Sequence, residues 1–325
     1  MYKKAIIIIL LVASVTILKA QFDWAAQTSG TGQSLGDVFF ISKNKGWIVG
    51  GGGVILHTAN RGNTWTLQSS GTTEELSAVF FTDENNGWAA GGDFVMGYPV
   101  ILHTTNGGQT WSSQAISATD AVSDIVFTST SNGYTTTTFG LYRTTNGGST
   151  WQSVNSGFGG QHFCIEFASA THGWIGCAAG TVLRTTNGGS SWTSVEIEPG
   201  SISSVNAIDF VDANTGWACT SGGDIFKTTN GGVSWQPQES FTTNLLFDIH
   251  FRDANNGYVV GTNGTFLYTT DGGANWNQTG TGTSQTLFGV FFYDALNGWV
   301  TGNSGNIRCT TEEEKICLVT VDTVT

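Results

Sequence analysis

The stretch Asn214-Thr-Gly216-Trp217-Ala-Cys-Thr220-Ser-Gly-Gly223-Asp-Ile-Phe226-Lys227-Thr228-Thr-Asn230-Gly-Gly232-Val-Ser-Trp235 is one unit of a pattern that recurs along the chain. Each unit has a Phe-ended apolar run, a Gly-aromatic turn, a Gly-rich turn, a second apolar run and a closing box of the form Thr-x-Asn-Gly-Gly-x-x-Trp. The turn aromatics are Trp47, Trp88, Tyr134, Trp174, Trp217, Tyr258 and Trp299, and the box tryptophans are Trp65, Trp111, Trp151, Trp192, Trp235 and Trp276. Steps in both series run from 40 to 46 residues. Within a unit the apolar runs are short and punctuated by Asn, Gly, Asp and Ser, which leaves room for four strands and for no helix. A period near 40 with four strands per unit is the spacing of β-propeller blades, so the chain is expected to be all-β, a seven-bladed propeller.

The two ends of the pattern complement each other. The seventh unit keeps the run Val290-Phe291-Phe292 and the turn Asn297-Gly298-Trp299, but Thr310-Thr311 is followed by Glu312-Glu313-Glu314 in place of a box. Its last strand is missing. Trp24-Ala-Ala-Gln27-Thr-Ser29-Gly30-Thr31 matches Trp65-Thr-Leu-Gln68-Ser-Ser70-Gly71-Thr72, and Trp24 precedes Trp47 by the same 23 residues that separate Trp65 from Trp88. The N-terminal strand is therefore expected to supply the outer strand of the seventh blade and remove an exposed sheet edge.

Outside the repeats, residues 1–20 have the basic start (Lys3, Lys4), apolar run and small-residue end of a secretory signal, with cleavage expected after Ala20. The apolar run is too short for a stable membrane span. The propeller is placed at 21–311, and 312–325 is an alternating tail that resembles the opening of a further β-domain. Without residues 1–20 the chain has 9 basic residues against 24 acidic, a net charge of −15. Such a surface disfavours nucleic acid and anionic lipid as partners and, with the signal, suits a secreted, periplasmic or cell-surface protein. Cys164 and Cys177 lie in the first and second strands of the fourth unit. If Phe167 pairs with Trp174, they face each other and could oxidise in an exported protein. The matching positions Asp37, Ala78, Asp124, Ala207, Asp248 and Gly289 instead suggest that a small residue is wanted there. No cysteine or histidine set has zinc spacing, and no metal or cofactor site is expected.

The boxes, from Thr104 to Trp111 through Thr269-Thr-Asp271-Gly-Gly273-Ala-Asn-Trp276, resemble the Asp-box, also called the bacterial-neuraminidase repeat. In it the Asn or Asp side chain accepts bonds from turn amides, Gly takes positive φ, and the Trp lies into the blade. Burying that ring is worth on the order of 4–6 kcal/mol as an upper bound from area. With the turn and the Phe run added, the repeat resembles the photosystem II stability/assembly factor-like family over residues 24 to 311. That resemblance implies an assembly or binding scaffold, which in photosynthetic members holds a reaction-centre subunit partly through a patch of arginines. Here Arg61, Arg143, Arg184, Arg252 and Arg308 are spread over separate blades.

The same resemblance admits a second class. Asp-box propellers include glycoside hydrolases, which need two carboxylates about 5–10 Å apart. Asp37, Asp124 and Asp248 share an inner-strand position, and Glu166, Asp209 and His250 lie two residues beyond its equivalents. They ring the channel as a catalytic set or as a solvated lining. The Asp-led turns at Asp83, Asp212, Asp253 and Asp294 lack the glutamate of a calcium loop and are expected to be Asx turns.

The irregular unit points to a face. Between Trp88 and Trp111 there are 23 residues where the other units have 17 or 18, and the surplus lies in Gly92-Asp93-Phe94-Val95-Met96-Gly97-Tyr98-Pro99. An inserted loop on one face of a repeat protein usually belongs to its binding face. Met96, Tyr98, Phe158, His162, Phe163, Phe241, Phe247 and Phe288 fall on that face, where aromatics suit a protein or glycan partner. Phe163, Phe247 and Phe288 equally suit a plug in the channel. Arg143, Arg184 and Lys227, each directly before a box Thr, form an alternative docking ring at the opposite end.

Overall fold

The computed structural model describes residues 22–311. The proposed signal, residues 1–20, and the tail, residues 312–325, lie outside the described residues. Seven four-stranded antiparallel sheets form a ring, a seven-bladed β-propeller. The inner strands are Leu35–Phe40, Leu76–Phe81, Val122–Phe127, His162–Phe167, Val205–Phe210, Leu246–Phe251 and Leu287–Phe292. Their apolar residues alternate between neighbouring sheets, and the core is divided among the seven interfaces between blades.

Trp24–Gln27 is the outer strand of the seventh blade, pairing with Asn306–Thr310 so that Trp24 faces Thr310 and Gln27 faces Ile307. Closure by the N-terminal strand is therefore as the matching sequence requires. Phe22 extends it by packing among Tyr258, Phe266, Tyr268 and Phe292, with ring centroids 5.0 to 5.9 Å away.

Each interface repeats one device. The turn aromatic of a blade stacks on the last Phe of the next inner strand: Trp47 on Phe81, Trp174 on Phe210, and finally Trp299 on Phe40 at 3.6 Å. Where the next blade has a box turn, the polar end of the aromatic donates to it, as Trp174 Nε1 does to the Gly231 carbonyl at 2.9 Å and Tyr134 Oη to that of Gly188 at 2.6 Å. Within the box, Thr144 Oγ1 accepts the Gly148 amide at 2.8 Å and Asn146 Oδ1 accepts that of Thr150 at 2.9 Å. The box is thus a structural turn tied to its neighbour. The Asp-led turns are Asx turns as expected, with Asp83 Oδ1 accepting the amides of Asn85 and Asn86.

The cysteine register differs from the expectation. Trp174 pairs with Glu166, Cys164 with Gly176, and Cys177 with His162. The hairpin pairs Phe167 with Gly173, one residue off the expected Phe167–Trp174 register, and a bulge between His162 and Cys164 then sets His162 opposite Cys177. Both thiols are free and buried, and the small-residue reading holds, since a Cβ at Gly176 would lie 2.5 Å from Cys164 Sγ.

Candidate functional site

The same bulge recurs in every inner strand and lets two successive residues line the central channel. The result is a cavity of about 610 Å³ along the axis. Its mouth, at the end carrying the inter-blade connections, is lined by Phe163, Phe247 and Phe288 along with Gly36, Ser77, Ser123 and Asn206. The three aromatics are half-buried, and Phe247 meets Phe288 edge-on at 5.0 Å. They wall the mouth and leave a cavity beneath it.

Below the mouth, Asp37, Asp124 and Asp248 tie blades together. Asp37 Oδ1 accepts the Val38 amide at 2.7 Å and Oδ2 that of Val79 in the next blade at 2.8 Å. Asp124 does the same with Ile125 and Ile165, and Asp248 with Ile249 and Val290. Burial pushes Asp37 up to about 6 and Asp124 to about 7, against the pull of those amides, and raises Asp248 further. Deeper still, one position per blade is filled by Phe39, Phe80, Val126, Glu166, Asp209, His250 and Phe291 in turn. Burial raises both Glu166 and Asp209, and Glu166 is raised further by the charges of Asp209 and Asp124. Asp209 reaches the Phe251 amide and lies 3.7 Å from His250 Nδ1, while His250 Nε2 is 3.0 Å from the Phe292 carbonyl. Among the described residues no group of three ligating side chains is placed to hold a metal.

The inserted segment lengthens the hairpin of the second blade, with strands Gly87–Asp93 and Tyr98–Thr104 and Asp93 paired to Tyr98. Its tip is fixed by Asp93 Oδ1, which accepts the amides of Val95 and Met96, and by the Gly97 amide to the Asp93 carbonyl at 2.8 Å. Phe94, Val95, Met96 and Tyr98 are consequently held in solvent, Met96 at 66% and Tyr98 at 62% exposure. Gly97 rests on the Thr119–Asp120 connection, where a Cβ would lie 2.5 Å from the Thr119 carbonyl. Phe139, 63% exposed, rests on the same connection through its amide to Asp120 Oδ2 at 2.7 Å. Sequence reasoning missed Phe139. The available signal was a Phe in a short second-to-third-strand turn where the other short turns have Gly, Ala, Asn or Ser.

The remaining candidates fall differently. Phe241 is 80% exposed on the connection between blades five and six, with φ +56. Phe158 is half-buried against His162. His162 itself is buried, bonded to Ser156 Oγ at 3.1 Å, and burial lowers its pKa. It supports the face and is not presented on it, because the bulge turns it toward Cys177. The alternative ring is built into the blades: the guanidinium of Arg143 covers Tyr134 at 5.6 Å, Lys227 covers Trp217 at 5.0 Å, and Arg184 pairs with Trp174. Lys227 Nζ also donates to the Gly272 carbonyl at 2.8 Å.

A closed Asp-box propeller with an aromatic hairpin beside an acid-lined channel is the class that fold and site define. The chain belongs to the family described as photosynthesis system II assembly factor YCF48, whose model matches residues 17–119, 111–243 and 234–316. A solved YCF48 bound to a D1 peptide is 21% identical, with a TM-score of 0.74 over 89% of this chain and 97% of that one. YCF48 from Cyanidioschyzon merolae is also 21% identical, with a TM-score of 0.72 over 90% and 99%. The GH74 enzyme of Niastella koreensis is 15% identical, with a TM-score of 0.72 over 87% of this chain and 53% of its own. These likenesses are of fold. No curated protein matches the chain in sequence.

Proposed function

We propose that this chain is an exported, non-catalytic scaffold that docks a protein segment on the face carrying the inter-blade connections. The observation that carries the reading is the rigid hairpin tip, which holds Phe94, Val95, Met96 and Tyr98 in solvent next to Phe139. A contiguous set of exposed large apolar side chains on an otherwise polar surface is the mark of an interaction site. Family membership and the D1 peptide bound by a YCF48 of the same fold support a polypeptide as the partner class. The signal-like residues 1–20 support a partner in the envelope or outside the cell. A glycan is the second ligand class that the aromatics would accept.

The rival class, a glycoside hydrolase, needs a carboxylate free to act as acid beside one free to act as base or nucleophile. Asp37, Asp124 and Asp248 each engage both oxygens with backbone amides. Glu166 and Asp209 sit side by side on adjacent blades inside the channel, below the face. The test is a pull-down from envelope extracts with wild type and Tyr98→Ala, run beside a polysaccharide turnover screen. Retention of a protein by wild type and its loss in the variant supports docking. Turnover abolished by Glu166→Gln would replace the scaffold reading with the hydrolase.

A further inference from the structure

The deep tier of the channel is divided in a way that the fold does not require. Phe39, Phe80, Val126 and Phe291 occupy it in four blades, with Phe39 centred 5.4 Å from Phe80 and 5.7 Å from Phe291. An apolar residue therefore satisfies the architecture at this position. The other three blades, which are consecutive, carry Glu166, Asp209 and His250. No lysine or arginine is among the described residues lining the cavity, so the carboxylates of Asp37, Glu75, Asp124, Glu166, Asp209 and Asp248 share it with one imidazole. Three of them are discharged on amides of the next blade, and Asp209 reaches Phe251. Glu166 has the adjacent Phe167 amide alone to favour its charge, while Asp209 and Asp124 oppose it.

We infer that the channel receives an alkylammonium group, which enters past Phe247 and Phe288 and is held by Glu166 and Asp209. The inference rests on the docking reading only for one source of that group, a lysine side chain of the bound segment; a free diamine carries the same chemistry. An ammonium supplies three donors and a full positive charge to two adjacent carboxylates, of which Asp209 has the His250 imidazole at 3.7 Å and Glu166 has no cationic side chain beside it among the described residues. Its methylene stem suits the aromatic arc, and the mouth phenylalanines offer π faces to a passing cation. The cavity of about 610 Å³ is of the size that takes a small ligand. A metal ion would find too few placed ligands, whereas an organic cation uses both sides of the channel.

Calorimetry at pH 8 with n-pentylamine and its neutral counterpart n-pentanol tests the inference on the full chain. Pentylamine is expected to bind one to one and at least about tenfold more tightly than pentanol, the scale of one charged hydrogen-bonded contact. Glu166→Gln and Asp209→Asn should each weaken it at least about tenfold. Should a variant fail to fold, the wild-type melting shift with pentylamine against pentanol gives the same contrast. Equal binding of the two probes, no binding of pentylamine, or binding indifferent to both substitutions overturns the inference. Comparing 1,5-diaminopentane with acetyl-Ala-Ala-Lys-Ala-Ala-amide then separates a free diamine from a peptide lysine, either preference upholding the amine chemistry. Ile202→Ala, 99% exposed and outside the cavity lining, serves as the control: it should leave pentylamine binding unchanged. Partner loss in Tyr98→Ala without any amine binding by wild type would sink the channel inference and keep the docking one.

Discussion

Trp88 of the second blade lies flat on Phe127 of the third, with ring centroids 3.5 Å apart and planes within 14°. The opposite face of Phe127 is covered by Gly133 of its own blade, where a Cβ would stand 2.6 Å from the ring, and Trp151 closes the edge at 5.9 Å. The glycine of every Gly-aromatic turn is therefore fixed by a ring lying against it, at ordinary negative φ. Gly133→Ala should cost about 1–3 kcal/mol as overpacking, and Trp88→Ala about 3–5 kcal/mol as a buried aromatic truncation. Urea melts of both variants check this, and a silent Gly133→Ala would show that Phe127 has room to move.

Phe22 closes the ring as much as Trp24 does. Trp24 supplies the strand pairing, but Phe22 fills the space among Tyr258, Phe266, Tyr268 and Phe292 beside the unit that has no box of its own. Phe22→Ala should lower stability by about 2–4 kcal/mol, and removal of residues 22–31 by more, because the outer strand and its sealing ring go together. Calorimetric melting of the two forms decides it. An unchanged melt for the truncated form would mean that Asn306–Thr310 tolerates an open edge.

Most of the architecture was legible because the repeat states it seven times, and the mismatch at its two ends states the closure. The Trp-on-Phe stack was not, since it joins residues of different units and no period within a unit reveals which neighbour a ring will meet. The cysteine register failed for a related reason: the hairpin turn pairs Phe167 with Gly173 in place of Trp174, which moves Cys164 from Cys177 to Gly176, and one bulged residue, invisible in an alternating pattern, then sets His162 opposite Cys177. At the candidate site, the surplus residues of the second blade pointed to a lengthened hairpin, on whose tip Met96 and Tyr98 are exposed. Phe139 was hidden because its turn has ordinary length. The channel carboxylates were visible as a column, but whether each was tied to an amide or left facing another charge needed the neighbouring blade.

The channel also sets a pH dependence opposite to that of most paired carboxylates. Asp37 at about 6 and Asp124 at about 7, both raised from 3.8 by burial, hold protons in the folded state that the unfolded chain has already released. Folded protein binds more protons across that window, so stability falls as pH rises from about 4 to about 7. The turn aspartates act the other way: Asp253 is lowered to about 2, so its contribution is lost only as pH falls below about 4. Stability should therefore peak near pH 4–5 and decline by an amount on the order of several kcal/mol toward pH 7.5. Urea midpoints across that range would refute the account if they stayed level or rose.

The docking face yields a prediction that separates binding from folding. Tyr98 is exposed, its ring meets none of the core clusters, and the tip beneath it is held by Asp93 and Gly97, so Tyr98→Ala should change stability by no more than about 0.5 kcal/mol. Binding energy in such faces concentrates in a few aromatic anchors, so the same change should weaken a captured protein partner at least about tenfold, with Phe139→Ala close behind because both flank the Thr119–Asp120 connection. Arg184→Ala, at the opposite end and packed beside Trp174, should do the reverse, lowering the melt while leaving affinity within about twofold. Titration of the three variants against one partner, read beside their melts, makes the comparison. If Arg184→Ala were to lose the partner while Tyr98→Ala kept it, the working face would be the box end, and the ring of Arg143, Arg184 and Lys227 would be the docking surface.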